Sequence, residues 1–219
     1  MKTEDYKIVE TIHKLCQSVG GQISLTAAIF LYNLAKECNN GVIVEIGSAN
    51  GLSTIALALG SKAGHCVKIY SIDPHAGGMA KDSNISDGVR GIGAPDAKYY
   101  TGQGTCNLKF YDNIKKWNMD DIVIPICDYS ELAYKNGLDG HEWNKDIGLL
   151  WIDGDHRYNY IKLDIELWAK HVISGGKIVF HDYVFPGIKR AVTELISENP
   201  RYINFKGCGV DPIVNITVR

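Results

Sequence analysis

Five short runs rich in β-branched residues recur along this chain, at 42–47, 67–72, 122–127, 147–152 and 177–180. Each is apolar at nearly every position, the pattern of strands buried on both faces, which parallel sheets require. Segments of helical period lie between them, at about 52–59, 110–117 and 130–135. A further helix presents Ile161, Ile165, Trp168 and Val172 on one face and is expected to stop at Gly175 and Gly176. Another is one that Pro186 can start, with Ile188, Val192 and Leu195 on its inner face. Strand–helix alternation with right-handed crossovers yields an α/β, doubly wound sheet. Two helices precede the first strand, one carrying Val9, Ile12 and Cys16, the other capped by Ser24 and carrying Leu25, Ala28, Tyr32 and Ala35. After the last helix, 202–205 and 212–218 flank a Gly207-Cys208-Gly209 turn, a hairpin that adds one antiparallel strand to a mostly parallel sheet.

The alternation breaks between residues 76 and 104. That stretch holds seven glycines (77, 78, 88, 91, 93, 102 and 104), no clear period and few aliphatic residues. It reads either as a lid over a binding site or as a disordered insertion. With 219 residues the chain suits one domain over 1–219, with N-terminal helices over 1–40. Hydrophobic residues at 45%, charged residues at 22% and a net charge of -2 exclude a broad nucleic-acid surface and favour a small partner. No apolar run reaches the ~20 residues of a membrane span, and residues 1–5 open no signal peptide, so a cytoplasmic protein is expected. The six cysteines, 16, 38, 66, 106, 127 and 208, form no C-x-x-C pair. Reduced thiols are expected, with Cys66 and Cys127 packed as small hydrophobes beside strands.

In such sheets a ligand lies outside the carboxyl ends of the strands, where strand order reverses. The informative residues therefore follow the strands. After the first come Glu45, Gly47, Ser48, Ala49, Asn50 and Gly51, with Ser53 in the helix that begins there. Gly47 and Gly51 let backbone approach a ligand closely, and the helix offers free N–H groups to a carboxylate. Asp73 follows the second strand, suited to accept from two ribose hydroxyls. Asp128 follows the third and can accept from an adenine amino group. The set describes a pocket for an adenosine that carries an amino acid. Singly, each residue reads as well as tight packing or a helix cap. Ala49 stands where a nicotinamide-binding G-x-G-x-x-G turn needs its middle glycine, which disfavours a dehydrogenase.

The segments VEIGSANGLS (44–53), YSIDPH (70–75), LWIDGDHRY (150–158) and GGKIVFHDY (175–183) resemble the class I methyltransferases. The resemblance is strongest to the small metal-dependent O-methyltransferases, of the catechol type and of the macrocin and cephalosporin-biosynthesis group. It spans about residues 40 to 185. It implies a Rossmann-like fold and S-adenosylmethionine as methyl donor, held by Glu45, Gly47, Ser48, Gly51, Ser53, Asp73 and Asp128. It also implies a small hydroxylated acceptor, and a divalent cation, expected to be Mg²⁺, on Asp153 and Asp182. Neighbouring parallel strands lie ~4.8 Å apart, so carboxylates at matching strand ends can converge on one ion. The chain departs from those groups at His181, where the antibiotic-tailoring enzymes carry an acidic residue, and at Tyr183, where the catechol type carries asparagine. His181 is counted as a third metal ligand that shifts preference toward a softer ion. The other reading of Asp153 and Asp182 is helix capping.

His156, three residues beyond Asp153, is either the base that takes the acceptor's proton or a helix-end residue bonded to backbone. Asp153 and His156 are thus the catalytic candidates. Trp151, Tyr158 and Tyr183 either wall the acceptor pocket or belong to the core. The expected activity is O-methylation of a small molecule by a protein that can assemble as a homo-oligomer. A metal-independent methyltransferase, a cofactor-binding relative without turnover and, more remotely, an NAD-dependent oxidoreductase are the competing classes.

Overall fold

The computed structural model describes residues 3–75, 108–137, 140–207 and 211–219, so the 76–104 stretch lies outside them. Helices α1 (Thr3–Val19) and α2 (Leu25–Glu37) lead into β1 (Val42–Ile46), α3 (Leu52–Ala63) and β2 (Ile69–Ile72). Then come α4 (Leu108–Lys116), β3 (Val123–Ile126), α5 (Ser130–Asn136), β4 (Ile147–Ile152) and α6 (Tyr158–Trp168). The chain finishes with β5 (Val172–Phe180), α7 (Pro186–Val192), β6 (Tyr202–Gly207) and β7 (Val214–Val218). Among the described residues the strands form one sheet in the order β3-β2-β1-β4-β5-β7-β6. Strands β1 to β5 pair in parallel, and β7 runs antiparallel between β5 and β6. The doubly wound, mostly parallel sheet expected from the sequence is the one observed.

Burial on both faces explains the continuous apolar runs. Ile43, Leu149, Trp151 and Val179 face a core built with Ile12, Leu31, Ile55 and Phe110 from α1 to α4. Val44, Leu150, Ile178 and Phe180 face a second core built with Ile165, Trp168 and Ile188 from α6 and α7. At about 25 cal/mol per Å², each of these side chains contributes roughly 1.5–3 kcal/mol by leaving water.

The strand order reverses between β1 and β4: the chain steps outward from β1 to β2 and β3, then returns to lay β4 on the other side of β1. The cleft of a doubly wound fold opens there, at the carboxyl ends. Two local expectations are corrected. Gly175 and Gly176 do not end a helix. The helix stops at Trp168, a 3₁₀ turn (Ala169–His171) follows, and the glycines sit inside β5. Pairing jumps from Ile147↔Val172 to Leu149↔Lys177, and Gly175 takes the extra length with φ +80 in the open. Cys127 is not a free thiol. It is disulfide-bonded, whereas Cys16, Cys38 and Cys66 are free.

Candidate active site

The turn after β1 is shaped by two glycines. Gly47 has φ +92, and a Cβ there would lie 2.2 Å from the carbonyl oxygen of Asp153, so only glycine lets the ends of β1 and β4 close on each other. Gly51, also at φ +92, caps α3 without a side chain. The first N–H groups of that helix therefore face the cleft without an intrahelical partner. Between the glycines, the Ala49 N–H donates to Asp73 Oδ2 at 2.7 Å, which locks the turn to the end of β2. Asp73 Oδ1 accepts from the His75 N–H at 2.6 Å. Ser48 is buried, and its hydroxyl has no hydrogen-bond partner among the described residues. Asp128 is buried after β3 and takes the Tyr129 N–H at 2.8 Å.

Glu45 lies beneath this turn, fully buried. Its Oε2 accepts from Thr54 Oγ1 at 2.5 Å and from Ser71 Oγ at 2.8 Å, and the Ser53 hydroxyl lies near the same carboxyl. Oε1 has no partner. Burial raises the carboxyl pKa to about 7 against the opposing hydroxyl bonds. Ser53 thus turns toward Glu45 and stiffens the turn from behind. Thr54 and Ser71 were not among the expected residues. The signal for Ser71 is its polarity at an inward strand position, in register with Glu45 across the β1/β2 ladder.

The second half of the cleft is built by β4 and β5. Asp153 directly follows β4, and its N–H extends the ladder to Ile46 O at 2.8 Å. His181 and Asp182 follow β5, with the His181 N–H bonded to Ile152 O at 3.1 Å. Asp182 adopts φ +52, a left-handed conformation that aspartate tolerates better than most residues. One nitrogen, His181 Nδ1, lies 3.0 Å from Asp153 Oδ1 and 3.2 Å from Asp182 Oδ2. Asp153, His181 and Asp182 each offer a ligand atom, all within 4.8 Å of one another. Two carboxylates and an imidazole at this spacing fit a divalent cation. Burial pushes the Asp153 carboxyl up, opposed by the His181 hydrogen bond. Burial alone would lower the imidazole of His181, but the bond and charge of Asp153, with Asp182, outweigh it and raise it.

His156 joins the group from the β4–α6 loop. Its Nε2 lies 3.2 Å from Asp182 Oδ2, and its ring stacks on Phe185 at 4.7 Å between centroids. It is tied to a carboxylate and an aromatic ring rather than to the helix backbone. Phe185 was missed by the sequence reading, since nothing local marks an aromatic at the start of α7 as a shelf for a histidine. The aromatic wall is rearranged. Trp151 is fully buried with its ring against His181, and Tyr183 packs edge-on against Phe205. Tyr158 turns away, its hydroxyl on Glu194 and its ring under Arg190.

Apart from Glu45 within β1 and Ser53 within α3, the expected site residues thus follow the carboxyl ends of β1 to β5. The profile of a family described as "Methyltransferase domain" matches residues 44–183, more than half of the chain and the whole of this rim. Among solved structures, the O-methyltransferase from Bacillus cereus in complex with SAH is similar over 100% of this chain and 92% of that one, at TM-score 0.64 and 18% identity. The O-methyltransferase NovP is similar over 90% and 81%, at TM-score 0.69 and 15% identity. The O-methyltransferase TomG from Streptomyces achromogenes, in complex with SAM, is similar over 100% and 91%, at TM-score 0.60 and 15% identity. At these identities the likeness shows the fold. An uncharacterised protein of Acanthamoeba polyphaga mimivirus is 33% identical over 91 residues, 38% of this chain and 35% of that protein's length. With a family profile running from the middle of β1 to just beyond the end of β5, the chain belongs to the methyltransferase domain family, on the Rossmann-like fold of its class I.

Proposed function

We propose that the protein transfers the methyl group of S-adenosylmethionine to an oxygen of a small hydroxylated molecule, with a divalent cation held by Asp153, His181 and Asp182. The observation that carries this reading is the division of one cleft. Residues suited to an adenosine with an amino acid (Gly47, Ser48, Gly51, Asp73 and Asp128) stand on the β1–β3 side, and the carboxylate–histidine group stands on the β4–β5 side. The complexes of the B. cereus and S. achromogenes enzymes with SAH and SAM support the choice of donor.

The sulfonium supplies its own electrophilic carbon, so the protein's work is alignment and proton removal. The acceptor oxygen bonds to the methyl carbon as the carbon–sulfur bond breaks, leaving a neutral thioether. The α3 N-terminus receives the donor's carboxylate, and Asp73 takes the ribose hydroxyls while holding Ala49. Glu45, Ser53, Thr54 and Ser71 keep the turn rigid from below. With its Nε2–H donated to Asp182, His156 presents the lone pair of Nδ1 to the acceptor's hydroxyl proton. A bound cation would favour the ionised acceptor oxygen at this spot.

A second reading has its own support. His181 Nδ1 already sits within hydrogen-bond distance of both carboxylates. A protonated imidazole there balances them without an ion, which describes a metal-independent methyltransferase. Transfer of labelled methyl from S-adenosylmethionine to a panel of phenols, catechols and sugar alcohols decides between the readings. The assay is run after chelation and again with magnesium, manganese or calcium restored. The proposal expects turnover only with a cation. Full activity in chelator assigns the cleft to the metal-independent reading, and no turnover on any acceptor points to a binding relative.

A further inference from the structure

The histidine beside the proposed ribose carboxylate carries a polar atom that nothing among the described residues uses. His75 stands two residues after Asp73, and its own N–H donates to Asp73 Oδ1 at 2.6 Å. That bond closes a tight turn, with φ +50 at His75, a left-handed conformation that histidine and asparagine enter more readily than most residues. The ring is held as well. It lies against Phe110 at 5.2 Å between centroids, and Phe110 also backs Gly51, where a Cβ would meet that ring at 3.2 Å. The His75 side chain is only 4% exposed, yet among the described residues its Nδ1 has no hydrogen-bond partner. A buried polar atom left without a partner is costly, and native structures leave few of them. Nδ1 lies 3.5 Å from Asp73 Oδ1, an approach that does not make a hydrogen bond, and the Asp73 side chain stays 16% exposed. Burial lowers the imidazole pKa against the pull of Asp73, so the ring is neutral near neutral pH, with one nitrogen to donate and one to accept.

We infer that His75 is a specificity-determining residue for the methyl donor, its Nδ1–H reading, together with Asp73, one hydroxyl of the ribose. This rests on the proposed function for the donor and adds to it a residue and a tautomer. The two groups are chemically matched to a hydroxyl, which has one proton to give and lone pairs to fill. Asp73 can only accept that proton. The Nδ1–H can only donate, and it supplies the bond to the same oxygen that a carboxylate cannot. With Nδ1 and Oδ1 3.5 Å apart, one oxygen beside them can lie within bonding reach of both. Neither group has to move, because the turn holds one and Phe110 the other. A donor lacking that hydroxyl leaves Nδ1 as unpartnered as it is without a ligand.

The test is calorimetric titration of the parent, His75→Phe and His75→Asn with S-adenosylhomocysteine and with its 2′-deoxy and 3′-deoxy forms. His75→Phe keeps a ring against Phe110 and removes the nitrogen. His75→Asn keeps a side chain suited to positive φ and puts an amide N–H near the place of Nδ1. Each variant is judged by the ratio of its own affinities, so any strain from φ +50 cancels. The parent should prefer S-adenosylhomocysteine to both deoxy forms. In His75→Phe the preference over one deoxy form should shrink on the order of tenfold while the preference over the other stays, and His75→Asn should restore most of the loss. Both preferences unchanged in folded His75→Phe overturn the inference, as does a parent that discriminates against neither deoxy form. Nitrogen NMR gives a second reading, on the ring signals that vanish in His75→Phe. Saturation of the parent with S-adenosylhomocysteine should move its Nδ1 signal, and a signal that stays in place overturns the inference. A parent that binds none of the three compounds defeats the donor reading and this inference with it, whereas the other adverse results leave the donor reading standing.

Discussion

Glu45 reports its own burial through pH. Its carboxyl titrates at about 7 in the folded protein and near 4.5 when solvated. Between those values the folded chain keeps a proton that the unfolded chain has released, so stability contributed by this group falls as pH rises through 4.5–7. Glu45→Gln cannot ionise. Its stability relative to the parent should climb by about 3 kcal/mol across that window and level off above it, as read from urea melts at stepped pH. A difference that does not vary with pH would contradict the burial described. His156 allows a sharper chemical test. Loss of the imidazole in His156→Ala should cost on the order of 10²–10⁴ in methyl-transfer rate with donor affinity intact. An unimpaired variant would return His156 to a plain structural role against Phe185.

The β1 and β4 ends meet as elements at Gly47, and one methyl group there should be felt on both sides. Gly47→Ala places a Cβ against the Asp153 carbonyl and forces φ +92 on alanine. The expected cost is about 2–4 kcal/mol of stability, seen by denaturant melts, with donor binding weakened in parallel. On the far side, Asp182→Ala removes a proposed cation ligand and the partner of His156. It should abolish magnesium-supported turnover while leaving S-adenosylhomocysteine binding within about twofold of the parent, because the proposal seats that compound on the β1–β3 side. Much of this was legible in the sequence because each β-branched run stops abruptly, so the residues at the break (Gly47, Asp73, Asp128, Asp153 and Asp182) mark the rim. What was not legible depends on register and side-chain direction. The Glu45–Ser71 bond joins residues 26 apart that meet only because β1 and β2 pair as they do. The length taken up by Gly175 inside β5 looks, in one dimension, like a helix stop. Tyr158 could not be assigned to the groove with α7 without knowing where Arg190 and Glu194 lie.

For the whole molecule, the order β3-β2-β1-β4-β5-β7-β6 matters more than any single residue. It puts the reversal between β1 and β4, and so brings the Gly47–Gly51 turn and a carboxylate–histidine group, more than 100 residues apart in the chain, to one rim. Two separate cores, one per face, hold that rim from both sides. None of the described helices is long and apolar enough to cross a membrane. The central claim is that this rim holds S-adenosylmethionine, and calorimetric titration with S-adenosylhomocysteine against NAD tests it most directly, in the parent and in Asp73→Ala. The account predicts saturable binding of S-adenosylhomocysteine and none of NAD, with Asp73→Ala weaker by about 1.5–3 kcal/mol as the ribose and the Ala49 N–H lose their charged acceptor. Binding of NAD in place of S-adenosylhomocysteine, or an affinity unmoved by Asp73→Ala, would contradict it.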